Sequence, residues 1–142
     1  MTEFKRTYPS ILEQSDIMVS DIEEVLTNTK VEIDTIRIIL LAVSEAFNNA
    51  LLHANQQDPN KSIWLNLVVT QTDILVEITD EGENGLEKVN HKKSPTLTSE
   101  SGRGVDLIRH FSQTVEFETT ERGGLKVSMT FVRNKEKQLN NL

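Results

Sequence analysis

Residues 11–26 set Ile11, Leu12, Ile17, Met18, Ile22, Val25 and Leu26 near helical spacing, which predicts an amphipathic helix. A mixed, strand-like segment over 4–9 precedes it, and Ser10 is placed to cap it. After a polar break at 27–30, a second helix is predicted over 32–54. Its centre, Ile38-Ile39-Leu40-Leu41-Ala42-Val43, is apolar on every side, so burial all round is expected. Asp58, Pro59 and Asn60 mark a turn within 55–61. The β-rich runs at 62–70 and 73–79, separated by Gln71 and Thr72, predict an antiparallel hairpin. Residues 80–104 hold four of the six glycines and no apolar period, which marks a functional excursion rather than an ordinary connection. A short helix over 105–111 and strands at 114–119 and 125–133, turned at Gly123-Gly124, complete the pattern. The polar tail at 134–142 is expected to be frayed.

Helices first, a hairpin, a glycine-rich excursion, one short helix and another hairpin predict an α+β fold. The expected architecture is a two-layer sandwich, a mixed, mainly antiparallel sheet covered on one face by helices. At 142 residues there is room for a single domain, taken as 1–133. Fifteen basic residues against 22 acidic give a formal net charge of −7, the wrong sign for neutralising nucleic-acid phosphates. The absence of cysteine excludes disulfides, thiolate metal sites and cysteine nucleophiles. The first residues lack the cationic start and apolar run of a signal peptide. The longest purely apolar stretch, Ile38 to Val43, is far short of the roughly 20 residues that span a bilayer, so no membrane association and a cytoplasmic location are expected.

Three segments carry candidate chemistry. In Ser44-Glu45-Ala46-Phe47-Asn48-Asn49-Ala50-Leu51-Leu52-His53-Ala54, Glu45 and Asn49 lie one helical turn apart on a shared face, and His53 extends the row. Polar groups beside a core are costly unless paired. One reading is structural: Glu45 caps or salt-bridges a neighbour and Asn49 holds a loop. The other is that both face a ligand pocket, Asn49 offering a neutral oxygen to Mg²⁺ and Glu45 acting as a base. For His53 the structural reading is preferred, and Asn48, about 100° away from Asn49 around the helix, is the weaker candidate. Second, Asp80-Glu81-Gly82 leaves a strand end, where a carboxylate can accept from a purine amine while Gly82 lets backbone approach the base. Third, Gly102-Arg103-Gly104 runs into a helix, where backbone amides suit phosphate oxygens. Walker A and GxGxxG are both absent.

Together these segments resemble the GHKL ATPase family of gyrase, Hsp90, histidine kinase and MutL type. Glu45 and Asn49 correspond to its N box, Asp80 and Gly82 to G1, and Gly102 and Gly104 to G2, in the family's order. Within that family the chain resembles the small serine-protein kinases of the anti-sigma-factor group (RsbW/SpoIIAB type), which share the E-A-x-x-N-A-x-x-H-A helix, the D-E-G turn and the S-G-x-G helix start. The resemblance implies that Glu45 is the general base and Asn49 the ligand of an ATP-bridging Mg²⁺. It likewise implies that Asp80 and Gly82 recognise adenine, that Gly102 and Gly104 cradle phosphates, and that residues 85–101 form a lid. Gly85 replaces the usual glycine one position late, Asn84 standing in its place. Lys92, Lys93 and Arg103 are the cations near the lid. A threonine usually following the glycine of the last strand is Leu125 here, with Ser128 and Thr130 as candidate replacements.

What the resemblance implies of function is an ATP- and Mg²⁺-dependent serine/threonine-protein kinase. It would act as an anti-sigma factor by partner switching, sequestering a sigma factor and phosphorylating a STAS-domain anti-sigma-factor antagonist, as a homodimer. The alternative is a non-catalytic anti-sigma-like binding module with a degenerate nucleotide site.

Overall fold

The computed structural model describes residues 1–83 and 100–133. Its order is β1 (Thr2–Pro9), α1 (Gln14–Asn28), α2 (Ile33–Asn48), a π-helical turn (Asn49–Ala54), β2 (Ser62–Val69), β3 (Asp73–Thr79), α3 (Glu100–Phe111), β4 (Thr114–Thr119) and β5 (Leu125–Val132). The strands form one sheet in the order β1-β2-β3-β5-β4, and every neighbouring pair is antiparallel, so the parallel component expected of a mixed sheet is absent among the described residues. Residues 84–99 and the tail at 134–142 lie outside the described residues, and with them Asn84, Gly85, Lys92, Lys93 and the greater part of the expected lid.

Strand alternation decides which sheet face is dry. Ile63, Leu65, Leu67 and Val69 of β2, Ile74, Val76 and Ile78 of β3, and Leu125, Val127, Met129 and Phe131 of β5 are buried. They form one core with Met18, Ile22 and Leu26 of α1, Ile39, Val43 and Phe47 of α2, and Val105 and Ile108 of α3. Truncating any of the larger ones to alanine would cost about 2–5 kcal/mol. Tyr8, fully buried, packs edge-on to Phe47 at 5.5 Å and donates to Asp21 Oδ2 at 2.7 Å, which also accepts from Arg6 at 2.8 Å. Burial and the Asp21 carboxylate raise the phenol above its ordinary pKa. This cluster ties β1 to α1.

The opposite sheet face is mixed, Trp64, Val68 and Leu75 standing beside polar residues. Glu77 accepts from Asn66 Nδ2 (2.9 Å) and Ser128 Oγ (3.1 Å), with Lys126 Nζ at 3.6 Å. Burial alone would raise the Glu77 carboxyl, but those two hydrogen bonds and the lysine charge outweigh it and hold the group below the usual carboxylate value.

The second helix departs from the expected burial all round. Ile39, Ala42 and Val43 are buried, yet Leu41 is 45% exposed, because the sheet and the flanking α1 and α3 leave its outer side bare. The continuous rod Ile33–Ala54 is 22 residues long and contains an 18-residue window with a mean hydropathy of 1.4, enough by length and composition to cross a membrane; half of that window is buried, as in the core helix of a sandwich. Ser10 caps nothing: α1 begins at Gln14 without a side-chain cap, and the Ser10 hydroxyl instead donates to Lys61 O at 2.7 Å.

Candidate functional site

The end of the helical rod is sewn to the end of β3. Asn49–Ala54 winds as a π-helix, closed by the bond from Asn55 N to Ala50 O (2.8 Å), a wider winding that often marks functional sites. The chain then reverses through Gln56 and Gln57, both in the left-handed region (φ 52° and 57°). Asn55 is the hub of the junction and fully buried. Its Nδ2 donates to Ser10 Oγ and to Ser62 O, each at 2.9 Å, and its Oδ1 accepts from Glu81 N at 2.9 Å. Glu81 completes the stitch, its Oε2 accepting from Ser62 N at 2.5 Å. Asn55→Ala would strand a buried amide and carbonyl at once; a loss of about 2–4 kcal/mol is expected in chemical denaturation.

Asp80, 6% exposed, sits where β3 meets β5. Its N–H donates to Leu125 O at 3.0 Å, while Oδ1 accepts from Leu125 N (3.0 Å) and Gly82 N (2.9 Å). Two backbone donors therefore fix the plane of the carboxylate before any ligand arrives. Gly82 is demanded by packing: a Cβ there would stand 2.7 Å from Ala54 Cβ and 2.9 Å from Ala54 Cα. Its lack of a side chain lets the turn after β3 lie against the π-turn, a cause distinct from the expected approach to a flat base.

Glu45 and Asn49 lie on α2 and at the start of the π-turn, half-buried between the buried Ala46, Phe47 and Ala50. The Asn49 N–H reaches Glu45 O, so regular α-winding still relates the two, and their side chains share a face. No hydrogen bond or ion pair joins either side chain to another described residue, against the structural reading in which they cap or bridge. Asn48, by contrast, is engaged: its Oδ1 accepts from Ser15 Oγ at 3.0 Å and ties α1 to α2. His53 falls in the π-turn and is exposed, and the wider winding takes it out of the straight row expected of an α-helix.

The glycine pair at the third segment is helical. α3 begins at Glu100, five residues before the expected start, so Gly102 and Gly104 belong to its opening turns and Arg103 lies between them. Gly102 falls where helix N–H groups have no intrahelical acceptor, the feature that suits phosphate oxygens. α3 packs along α2, so this opening turn and the Glu45–Asn49 face belong to neighbouring rods.

Ser128 and Thr130 do not serve the site. Both alternate with the buried Val127, Met129 and Phe131 and so point to the far face of the sheet, where Ser128 binds Glu77 and Thr130 meets Thr114. In their place Gly124-Leu125 contributes through backbone. A Cβ on Gly124 would stand 2.2 Å from Asp80 O, so only glycine lets β5 close on Asp80. The Gly-Gly pair reads as a turn in sequence; its second member has this separate task.

The metal chemistry available is limited. Among the described residues no group of three or more His, Asp or Glu side chains could hold a metal ion. Asn49 alone cannot cage one, but a single neutral oxygen suits Mg²⁺, which keeps its waters and takes most other ligands from phosphates.

The model of the histidine kinase-like ATPase domain matches residues 8–131. An anti-sigma F factor of Oceanobacillus iheyensis is 26% identical over 144 residues, covering 98% of each chain, and one of Geobacillus thermodenitrificans is 28% identical over 100 residues, covering 67% of this chain and 68% of that one. The fold recurs in the RsbU and RsbW domains of Rv1364c from Mycobacterium tuberculosis, with a TM-score of 0.66 at 14% identity over 92% of this chain and 32% of that one. It recurs also in the catalytic domain of the histidine kinase ThkA, with a TM-score of 0.52 at 15% identity over 94% and 98%. With a family model covering all but the ends, the chain belongs to the histidine kinase-like ATPase domain family.

Proposed function

We propose that this chain is an ATP- and Mg²⁺-dependent serine/threonine-protein kinase that acts as a cytoplasmic anti-sigma factor by partner switching. It would hold a sigma factor and phosphorylate a STAS-domain antagonist of that inhibition. The observation that carries the reading is the pair Glu45 and Asn49: half-buried, on one helix face, and committed to no described neighbour. A purely structural acid at the edge of a core would be paired. Supporting it are the anti-sigma F factor names of the relatives.

In this reading Asp80 orients the adenine through its anchored carboxylate, and Gly82 borders the base. The amides opening α3 at Gly102 and Gly104, with Arg103, receive phosphate oxygens, and Gly85 begins the lid. Asn49 is the protein's ligand to Mg²⁺, whose charge offsets that of the triphosphate. Glu45 takes the proton of the substrate serine hydroxyl as its oxygen attacks the γ-phosphorus in line, and ADP leaves. For this the carboxylate must come within about 3 Å of the hydroxyl in the ternary complex. A second copy of the chain is the proposed cover of the open sheet face, where Trp64 is 37% exposed.

The test is incubation with γ-labelled ATP and candidate STAS proteins from the same genome. Label on a serine of one of them is the expected result; Mg·ATP binding without transfer to any would favour the non-catalytic binder. Asn49→Ala should weaken ATP binding at least about tenfold in the presence of Mg²⁺ and leave the residual Mg²⁺-free binding unchanged, measured by titration calorimetry.

A further inference from the structure

A cavity of about 240 Å³ opens at the end of the sandwich opposite Asp80, between the first turns of α2, the end of α3 and the end of β5. Ile38, Phe111, Phe131 and Val132 supply apolar and aromatic wall, with Thr35, His110, Ser112 and Gln113 as the polar groups. No Asp, Glu, Lys or Arg is among its described lining residues. Thr35 is not available to a ligand in the same degree, since its hydroxyl reaches Arg133 O at 3.4 Å. Ser112 is different. Its N–H is used by Ile108 O at 3.0 Å, but its hydroxyl is buried with no partner. Buried hydroxyls are rarely left so, and rotation about χ1, between staggered wells, can turn this one toward the cavity.

We propose that this cavity is a binding site for a neutral, single-ring hydroxyaromatic ligand of the phenol class. Size selects one ring, since cavities of about 150 Å³ already hold benzene. The phenyl walls select a flat apolar body, through offset or edge-to-face contacts. The missing hydrogen bond of Ser112 selects a hydroxyl, which both donates and accepts and so satisfies either orientation. No carboxylate, ammonium or guanidinium group is among the described lining residues and His110 is the one ionisable side chain there, which disfavours an ionised ligand that would be desolvated with little counter-charge. The site is independent of the proposed kinase chemistry and needs no nucleotide.

The experiment is a titration of the ¹⁵N-labelled full chain with phenol and, separately, benzene, read by amide chemical shifts. Saturable shifts are expected at Phe111, Ser112 and Val132, with phenol binding tighter than benzene. Ser112→Ala should weaken phenol roughly fivefold and leave benzene unchanged, so that the preference for the hydroxyl disappears. It should melt no lower than the parent, because the hydroxyl it removes has no partner to lose. Ile38→Phe, which narrows the cavity, should abolish both ligands. No saturable shift at those amides, undiminished phenol binding by Ser112→Ala, or phenol binding unaffected by Ile38→Phe would each overturn the proposal.

Discussion

Glu45→Ala is expected to slow the proposed serine phosphorylation by about 10²–10⁴-fold while Mg·ATP affinity stays within about twofold, because a general base, the role proposed for Glu45, acts on the proton in flight and not on the bound nucleotide. Glu45→Gln should behave the same way, since it keeps the shape and polarity of the side chain and removes only its basicity. Stability separates this role from a structural one. Glu45 has no hydrogen bond or ion pair with a described residue, so alanine removes no polar contact among the described residues and improves helix propensity by a few tenths of a kcal/mol. The variant should therefore melt at or slightly above the parent temperature. A lower melting temperature with transfer intact would make Glu45 a scaffold residue and leave the proposed kinase reaction without its base. Single-turnover label transfer and thermal unfolding, on the same preparation, decide between them.

The helix that carries Glu45 was legible because its signal is local. Acid and amide four apart, among small and apolar residues, need only helical geometry to share a face, and α2 supplies it. The strands were legible for a similar reason: in β2 every second residue from Ile63 to Val69 is buried, the alternation that pleating imposes. What the sequence did not disclose arises between distant segments. Asn55 reads as a turn residue, yet it joins Ser10, Ser62 and Glu81. The wider winding of Asn49–Ala54 leaves no propensity mark in Asn-Ala-Leu-Leu-His-Ala, and it ends where Ala54 lies against Gly82. Gly82 shows how a correct residue can carry an incomplete reason: the turn needs glycine for its own packing, whatever lies beside it in a complex. The uniform apolarity of 38–43 misled for the opposite cause, because a two-layer fold has too few elements to surround its central helix, and Leu41 is left in solvent.

Gly124→Ala should be the most damaging added methyl among the glycines at 82, 123 and 124, although Gly123 and Gly124 both look like turn residues. The added Cβ would lie 2.2 Å from Asp80 O, 3.0 Å from Asp80 C and 3.1 Å from Asp80 Oδ1. Those atoms are backbone and an anchored carboxylate, so relief requires β5 to move away from β3. That movement breaks the paired bonds between Asp80 and Leu125, at 3.0 Å each, and leaves buried donors behind. Overpacking and lost hydrogen bonds together make a destabilisation of about 3 kcal/mol or more the expectation in urea unfolding. Gly123→Ala is the internal control. Its Cβ would meet nothing within 4 Å, and only the φ of 89° opposes it, a strain of about 1–2 kcal/mol. Because the displaced carboxylate is the proposed adenine acceptor, Gly124→Ala should also lose nucleotide affinity in whatever fraction remains folded, whereas Gly123→Ala should keep it. Equal losses in the two variants would mean that the turn, and not the closure of β5 on Asp80, is what these glycines serve.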